Sequence, residues 1–453
     1  MSPLKCFIKK RHYYIAVGIV IAALVVKYFY IFHCTSYRDS LVHDMGDYWY
    51  GAFKRGWGDQ TSFWQWGGFP PFYKFYFLAP FFKFLNNLGA LSYALTLVIS
   101  INILFYGISS CIFYLIVDRL MVSKITALSA LIFYSFSYLA TYLNALVLPE
   151  DFALPLTVAS IGVLILTVNW AWVFIAGLLF GIAIATKPIL FIYGMVSTGF
   201  VFSKHGKKNR VWMLMIFTAA MALVPLMTIA ENNRVSDGKL RSLASIGGVN
   251  FFQGWAKVGE VSADSKEGDC HFYSPGAVDQ PTWKEMKLQE PWYHQGYYYH
   301  LGLESIRKDP RVLLEKISWF RKFFWGGLGP CLKSPPLGYD RIMPAVQNIS
   351  YMMFISLGMF CLFIRRHSRQ EAVWFLSFLM AAFFIAIYAI GMPERRYYFD
   401  IEFLVIALFF VMVDRMIVLY RAYRREVWIY ALLVFVFFIC IPATWQLLNS
   451  SLL

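Results

Sequence analysis

Charge is scarce in this chain. Only 15% of its 453 residues are Asp, Glu, Lys or Arg, against about a quarter in ordinary soluble domains. With 59% of residues hydrophobic, this excludes a soluble domain of the same length, which could not hide so much apolar surface. Cysteine is sparse too. Cys6, Cys111, Cys361 and Cys440 fall in or beside inner or membrane regions, and only Cys34, Cys270 and Cys331 fall outside. That is no disulfide framework; a Cys270–Cys331 bridge and free thiols both stay open. There is no CxxC, no HExxH and no Walker loop, and neither an internal repeat nor a low-complexity tract.

What the chain does have is apolar runs of roughly 20 residues, the length that crosses a bilayer as a helix. They predict an all-α polytopic membrane protein with eleven spans, near 13–33, 90–117, 125–142, 152–169, 171–186, 189–203, 211–230, 347–364, 371–391, 401–418 and 426–446. No small-residue cleavage site follows the first run, so it reads as a retained span. The aromatic stretch 70–86, with two Lys and Pro80 inside it, reads as interfacial or re-entrant.

Basic residues orient the chain. With the N-terminus in the cytoplasm, the inner loops hold sixteen Lys and Arg, among them Lys9, Arg119, Lys208, Arg366 and Arg424, and the short outer connections hold three. The net charge of +15 is thus mostly topology, and a nucleic-acid partner is not indicated. Three regions follow: 1–230, a membrane module with a first outer loop at 34–89; 231–345, an outer segment; and 346–453, the last spans. Within 231–345, Asp309 and Pro310 open an amphipathic helix carrying Val312, Leu313, Ile317, Phe320 and Phe324.

Acids and bases meet on this outer side. Asp44 and Asp47 follow the first span, three residues apart, so a helix would put both on one side. Glu150 and Asp151 lie between two spans. Lys187 ends a span before Pro188. Glu394, Arg395 and Arg396 precede Tyr397 and another span. Each has an ordinary reading: headgroup contact for the arginines, snorkelling for Lys187, and a solvated, helix-capping turn for Glu150 and Asp151. Together they read as a base with several cations, suited to an acceptor hydroxyl and a phosphate leaving group.

The order of motifs resembles the GT-C superfamily of membrane glycosyltransferases, in the branch of the protein O-mannosyltransferases and the lipid A aminoarabinose transferase. The motifs are "DMGDY" at Asp44–Tyr48, "FPPFYKF", an acid in the second outer loop, "AGLLFGIAIATKP", "GGVNFFQGW", the Asp-Pro helix and "RRYYF". The resemblance implies a GT-C-type bundle and an inverting transfer of a sugar from a polyprenyl-phosphate donor to a hydroxyl on a glycan, lipid or protein acceptor. Asp44 would be the catalytic base. Tyr48 with Asp47, Glu150 or Asp151 would bind substrate or supply a second acid. Lys187, Arg396, Arg395 and Lys74 would hold the phosphate.

The sequence also departs from the family. Phe69 stands where the family often has His before the proline pair, so no essential metal or other cofactor is expected. Met45 stands where many members have a second acid, and Asp400 and Phe403 where prolines usually follow the Arg-Tyr pair. A bacterial inner membrane with a periplasmic site is the expected location. Two other classes remain: a transporter or flippase for lipid-linked sugars, and a polymerase or ligase using lipid-diphosphate donors.

Overall fold

A computed structural model of the chain describes residues 3–39, 41, 43–56, 70–206, 209–235, 242–244, 247–255, 295–314, 370–390 and 395–422. Among the described residues every regular element is helical. Four helices are long and apolar enough to cross a membrane: Arg11–Cys34, Leu91–Leu120, Arg210–Arg234 and Gln370–Ile390. A fifth follows if Lys124–Ser135 and Tyr138–Asn144 are one span broken by a 40° bend. This is a membrane protein by these helices; among the described residues, where nine of the eleven expected spans fall, four or five qualify.

The shortfall has physical causes. The runs at 152–169, 171–186 and 189–203 form helices of 17, 17 and 14 residues. At 1.5 Å per residue these give roughly 21–26 Å, short of a hydrocarbon core of about 30 Å. The run at 401–418 lies within the 24-residue helix Phe399–Ala422. The spans expected at 347–364 and 426–446 lie outside the described residues, as do Cys270, Cys331 and the amphipathic helix beyond Leu314.

The bundle is built from α1 (Pro3–Cys34), α2 (His43–Gly56), α3 (Ala79–Asn87), α4 (Ala94–Leu120), α5 (Lys124–Ser135), α6 (Tyr138–Asn144), α7 (Glu150–Leu166), α8 (Trp170–Thr186), α9 (Phe191–Lys204) and α10 (Arg210–Val235). It continues with α11 (Gly247–Trp255), α12 (Gln295–Lys308), α13 (Gln370–Ile390) and α14 (Phe399–Ala422). Helix α1 packs on α4 and α5, α7 on α4 and α8, and α9 on α10 and α13. Helix α14 touches α5, α7 and α13, and 401–408 are buried without interruption. A helix apolar on nearly every side belongs in the centre. Helix α1 instead turns Tyr14, Val25 and Phe29 outward, as a lipid-facing helix would.

Ser137 caps α6, accepting from Ala140 N–H at 3.1 Å, and so fixes the break after α5. The small residues of "AGLLFGIAIATKP" have a packing role. A Cβ on Gly177 would lie 2.6 Å from Phe217 O, and one on Gly181 2.7 Å from Met221 O. These glycines let α8 and α10 approach backbone to backbone.

The stretch 70–86 forms a π-helical turn, Tyr73–Leu78, that runs into α3, with Pro80 in the first helical turn where its missing N–H costs nothing. Asp309 acts as expected of a cap, accepting from Arg311 N–H at 3.1 Å. Helix α11 and the segment that follows α12 are pinned to α13: Trp255 Nε1 donates to Ala389 O at 2.8 Å, and Tyr388 OH to Leu313 O at 2.7 Å. At the opposite end of the bundle, Asp414 accepts from the N–H groups of Val122 and Ser123 at 2.8 and 2.9 Å.

Candidate active site

Three helix ends converge on Lys187. Pro188 cannot continue α8, so Lys187 leaves the helix extended, at φ −142° and ψ 93°. Its ammonium donates to Glu150 Oε1 at 3.1 Å, at the start of α7, and to Asp400 Oδ2 at 2.6 Å, at the start of α14. The Tyr397 ring lies 5.0 Å from the same nitrogen. Tyr193 OH on α9 donates to Asp400 O at 3.1 Å. Lys187, Glu150 and Asp400 are all buried. Ions removed from water persist only when paired and hydrogen-bonded.

A second polar group lies beside it. Asp151 accepts from Asn144 Nδ2. Lys27 on α1 donates to Thr141 Oγ1 at 2.8 Å and to Ser137 O at 3.2 Å, with the Tyr106 ring at 4.5 Å. Ser137 Oγ donates to Glu402. Lys27 is buried inside α1 and does not reach the water as a residue at a span end would.

The first-loop acids form a further layer. Asp44 and Asp47 both lie on α2, so the condition for their sharing one side of a helix is met. Asp47 is half-buried, and its carboxyl is pushed up to about 6, first by burial and then by the Asp44 charge, with Lys74 opposing. Lys74 is buried on the π-helical turn, and its ammonium is pushed down to about 8 by burial, with Asp47 opposing. Its stem runs across Gly51, where a Cβ would lie 2.6 Å from Lys74 Cδ. Gly51 is thus the groove that lets Lys74 pass beneath the acids.

Tyr48 and Tyr73 join the two layers. Their rings meet edge-on at 5.6 Å, and Tyr73 lies 6.0 Å from Phe152, the neighbour of Asp151. Burial pushes the Tyr73 phenol upward, and the charges of Asp151 and Glu150 push the same way.

The structure therefore brings Asp44, Asp47, Tyr48 and Lys74 into one group and Glu150, Asp151 and Lys187 into an adjoining one. No protein-family model and no curated protein matches this chain. Arg395 and Arg396 lie in the 3-10 turn Arg395–Tyr398, immediately before Asp400; their side chains lie outside what the structure describes.

Sequence reasoning passed over Lys27, Tyr73, Asn144 and Glu402, and took Asp400 only as a departure from the family pattern. For three of them a signal existed: an ionisable residue inside an apolar run, "VVKYFY" or "YYFDIEFLV", is costly there unless partnered. Among the described residues no three His, Cys, Asp or Glu side chains are grouped to hold a metal ion. The arrangement offers a half-buried carboxylate pair beside a buried cation, able to take a proton from a neutral donor and to balance an anion.

Proposed function

We propose that this protein is an inverting glycosyltransferase that moves a sugar from a polyprenyl-phosphate donor to an acceptor hydroxyl at the outer face of the membrane. The reading has GT-C character in its motifs. The observation that carries it is the grouping of Asp44, Asp47 and Lys74 at the outer end of α2, above a bundle of apolar helices. A lipid-borne donor reaches such a site from within the leaflet, while the acceptor comes from water.

Asp44 accepts the proton of the attacking hydroxyl as the bond to the anomeric carbon forms. Asp47 lies three residues on, and the Asp44 charge raises its proton affinity. The leaving phosphate departs on the opposite face of the sugar and needs cations. Lys187 is already matched by Glu150 and Asp400, so the phosphate role passes mainly to Arg395, Arg396 and Lys74, with Lys187 holding the helix ends in register. Tyr48 and the outer segment 231–345 shape the sugar site and exclude water. In this reading the N-terminus is cytoplasmic, the membrane is a bacterial inner membrane and the acceptor is a cell-envelope glycan, lipid or protein.

One observation favours a second reading. Lys27, Ser137 and Glu402 form a polar group within the bundle, as a transporter or flippase of lipid-linked sugars would have. Mass spectrometry of purified protein with a panel of polyprenyl-phosphate sugars and candidate acceptors separates the two. Transferase predicts release of polyprenyl phosphate from wild type and a loss of at least a hundredfold in Asp44→Asn, within the usual range for an acid–base residue of 10²–10⁴. Equal release from both would remove Asp44 as the base. Movement of intact donor across vesicles without release would favour the transporter.

A further inference from the structure

Asn144 and Asp151 are joined by one hydrogen bond, from Asn144 Nδ2 to Asp151 Oδ1. Both side chains are buried, at 0% and 2% exposure. Their other oxygens, Asn144 Oδ1 and Asp151 Oδ2, are buried and have no hydrogen-bond partner. Were Asp151 a carboxylate, both atoms would be acceptors, and neither could satisfy the other. Each unmet buried acceptor costs about 1–3 kcal/mol, more when charged.

A single proton resolves both. Placed on Asp151 Oδ2 it makes that atom a donor, and the carboxamide offers an O acceptor beside the N–H it already donates. Acid and amide then form two parallel hydrogen bonds. Exchanging O and N of the Asn144 amide gives the same pair with the proton on the other carboxyl oxygen.

The surroundings supply no competing counter-ion. Lys187 is held by Glu150 and Asp400, and Lys27 by Thr141 and the Ser137 carbonyl. Glu402 accepts from Ser137. Asp151 forms no ion pair among the described residues, although Lys27, Lys187, Glu150 and Tyr73 all face it across the site. The Tyr73 hydroxyl is also buried and without a partner.

We infer that Asp151 and Asn144 form a buried proton-binding site, a neutral carboxylic acid closed onto a carboxamide between two engaged lysines. The proton comes from hydronium in the adjoining water: one hydronium O–H bond breaks as the carboxyl O–H bond forms, leaving water. Losing it would put a negative charge between Lys27 and Lys187 and set two acceptor oxygens against each other, so the proton's presence tunes the field of the adjoining site. The inference rests on packing alone and is independent of the proposed transfer.

Infrared difference spectroscopy of the purified full-length protein, wild type minus Asp151→Asn, tests it. A protonated-carboxyl band that shifts in heavy water, present in wild type and missing from the variant, is expected. Its absence at neutral pH would overturn the site. The neutral amide should replace the neutral acid with accumulation and melting temperature near wild type, whereas an ionised Asp151 would make Asp151→Asn fail to accumulate. In that case carbon-13 carboxyl-labelled aspartate in the unaltered protein decides. A labelled acid band that persists well above neutral pH, after Asp47 has ionised, supports the site; a spectrum of carboxylates only rejects it.

Discussion

Lys187 donates to Asp400 at 2.6 Å, across 213 residues of chain. The bond ties the end of α8 to the start of α14, and Glu150 adds α7.

Removing one partner of such a buried pair leaves a charge without compensation, at about 3–5 kcal/mol. Lys187→Met should therefore destabilise the detergent-solubilised protein strongly, read as a large fall in melting temperature. The triple change Lys187→Met, Glu150→Gln, Asp400→Asn should recover much of it. A melting temperature unchanged by the single change would contradict a structural role.

Asp47 sets a pH dependence of known sign. Its carboxyl titrates near 3.8 when unperturbed and at about 6 in the fold, chiefly through burial. The fold thus favours the protonated form. The resulting stability is complete below the unfolded value and is lost as pH rises through about 6. Asp47→Asn should flatten the fall in melting temperature over that interval, and an identical slope in both proteins would refute the assignment. Lys74, lowered to about 8, contributes in the opposite sense and in a higher window: its stability is present above the ordinary lysine value and is lost as pH falls through about 8.

Gly181 and Gly199 form a matched test of helix contact. A Cβ at Gly181 meets backbone at 2.7 Å, and one at Gly199 meets nothing within 4 Å. Gly181→Ala should cost about 1–3 kcal/mol, the usual penalty of overpacking. Gly199→Ala should be neutral or slightly stabilising, since alanine favours a helix. Thermal unfolding of both variants side by side reads the difference; equal effects would disprove close packing of α8 on α10.

Asp414 acts at the far end. Asp414→Ala leaves the Val122 and Ser123 N–H groups without their acceptor, a loss of about 1–2 kcal/mol on the scale of helix caps. Under the proposed transfer, donor turnover should be unaffected once folded protein is normalised, and a parallel loss of turnover would point to coupling between the two ends.

Much of this was legible before any coordinates. The membrane class followed from composition, and α1 and α4 from run length. The count of spans was not, because an apolar run reports burial and says nothing of whether lipid or protein buries it. Helices α7, α8 and α9 are apolar and short. The pairing of Lys187 with Asp400 depends on contacts between distant segments, which no local pattern encodes. Tyr73 and Asn144 carried no signal, since tyrosine and asparagine are ordinary in interfacial stretches.

The central place of α14 has a consequence for biosynthesis. Helices α5 and α7 leave the ribosome long before α14 exists. At about 5–20 residues per second, the 213 residues between Lys187 and Asp400 take roughly 10–40 s to make. During that interval a lysine-bearing helix end and a vacant central groove must be sheltered by the insertion machinery or by lipid headgroups. The ordering of this bundle is thus a matter of timing, and among the described helices the last one made is the one that closes it.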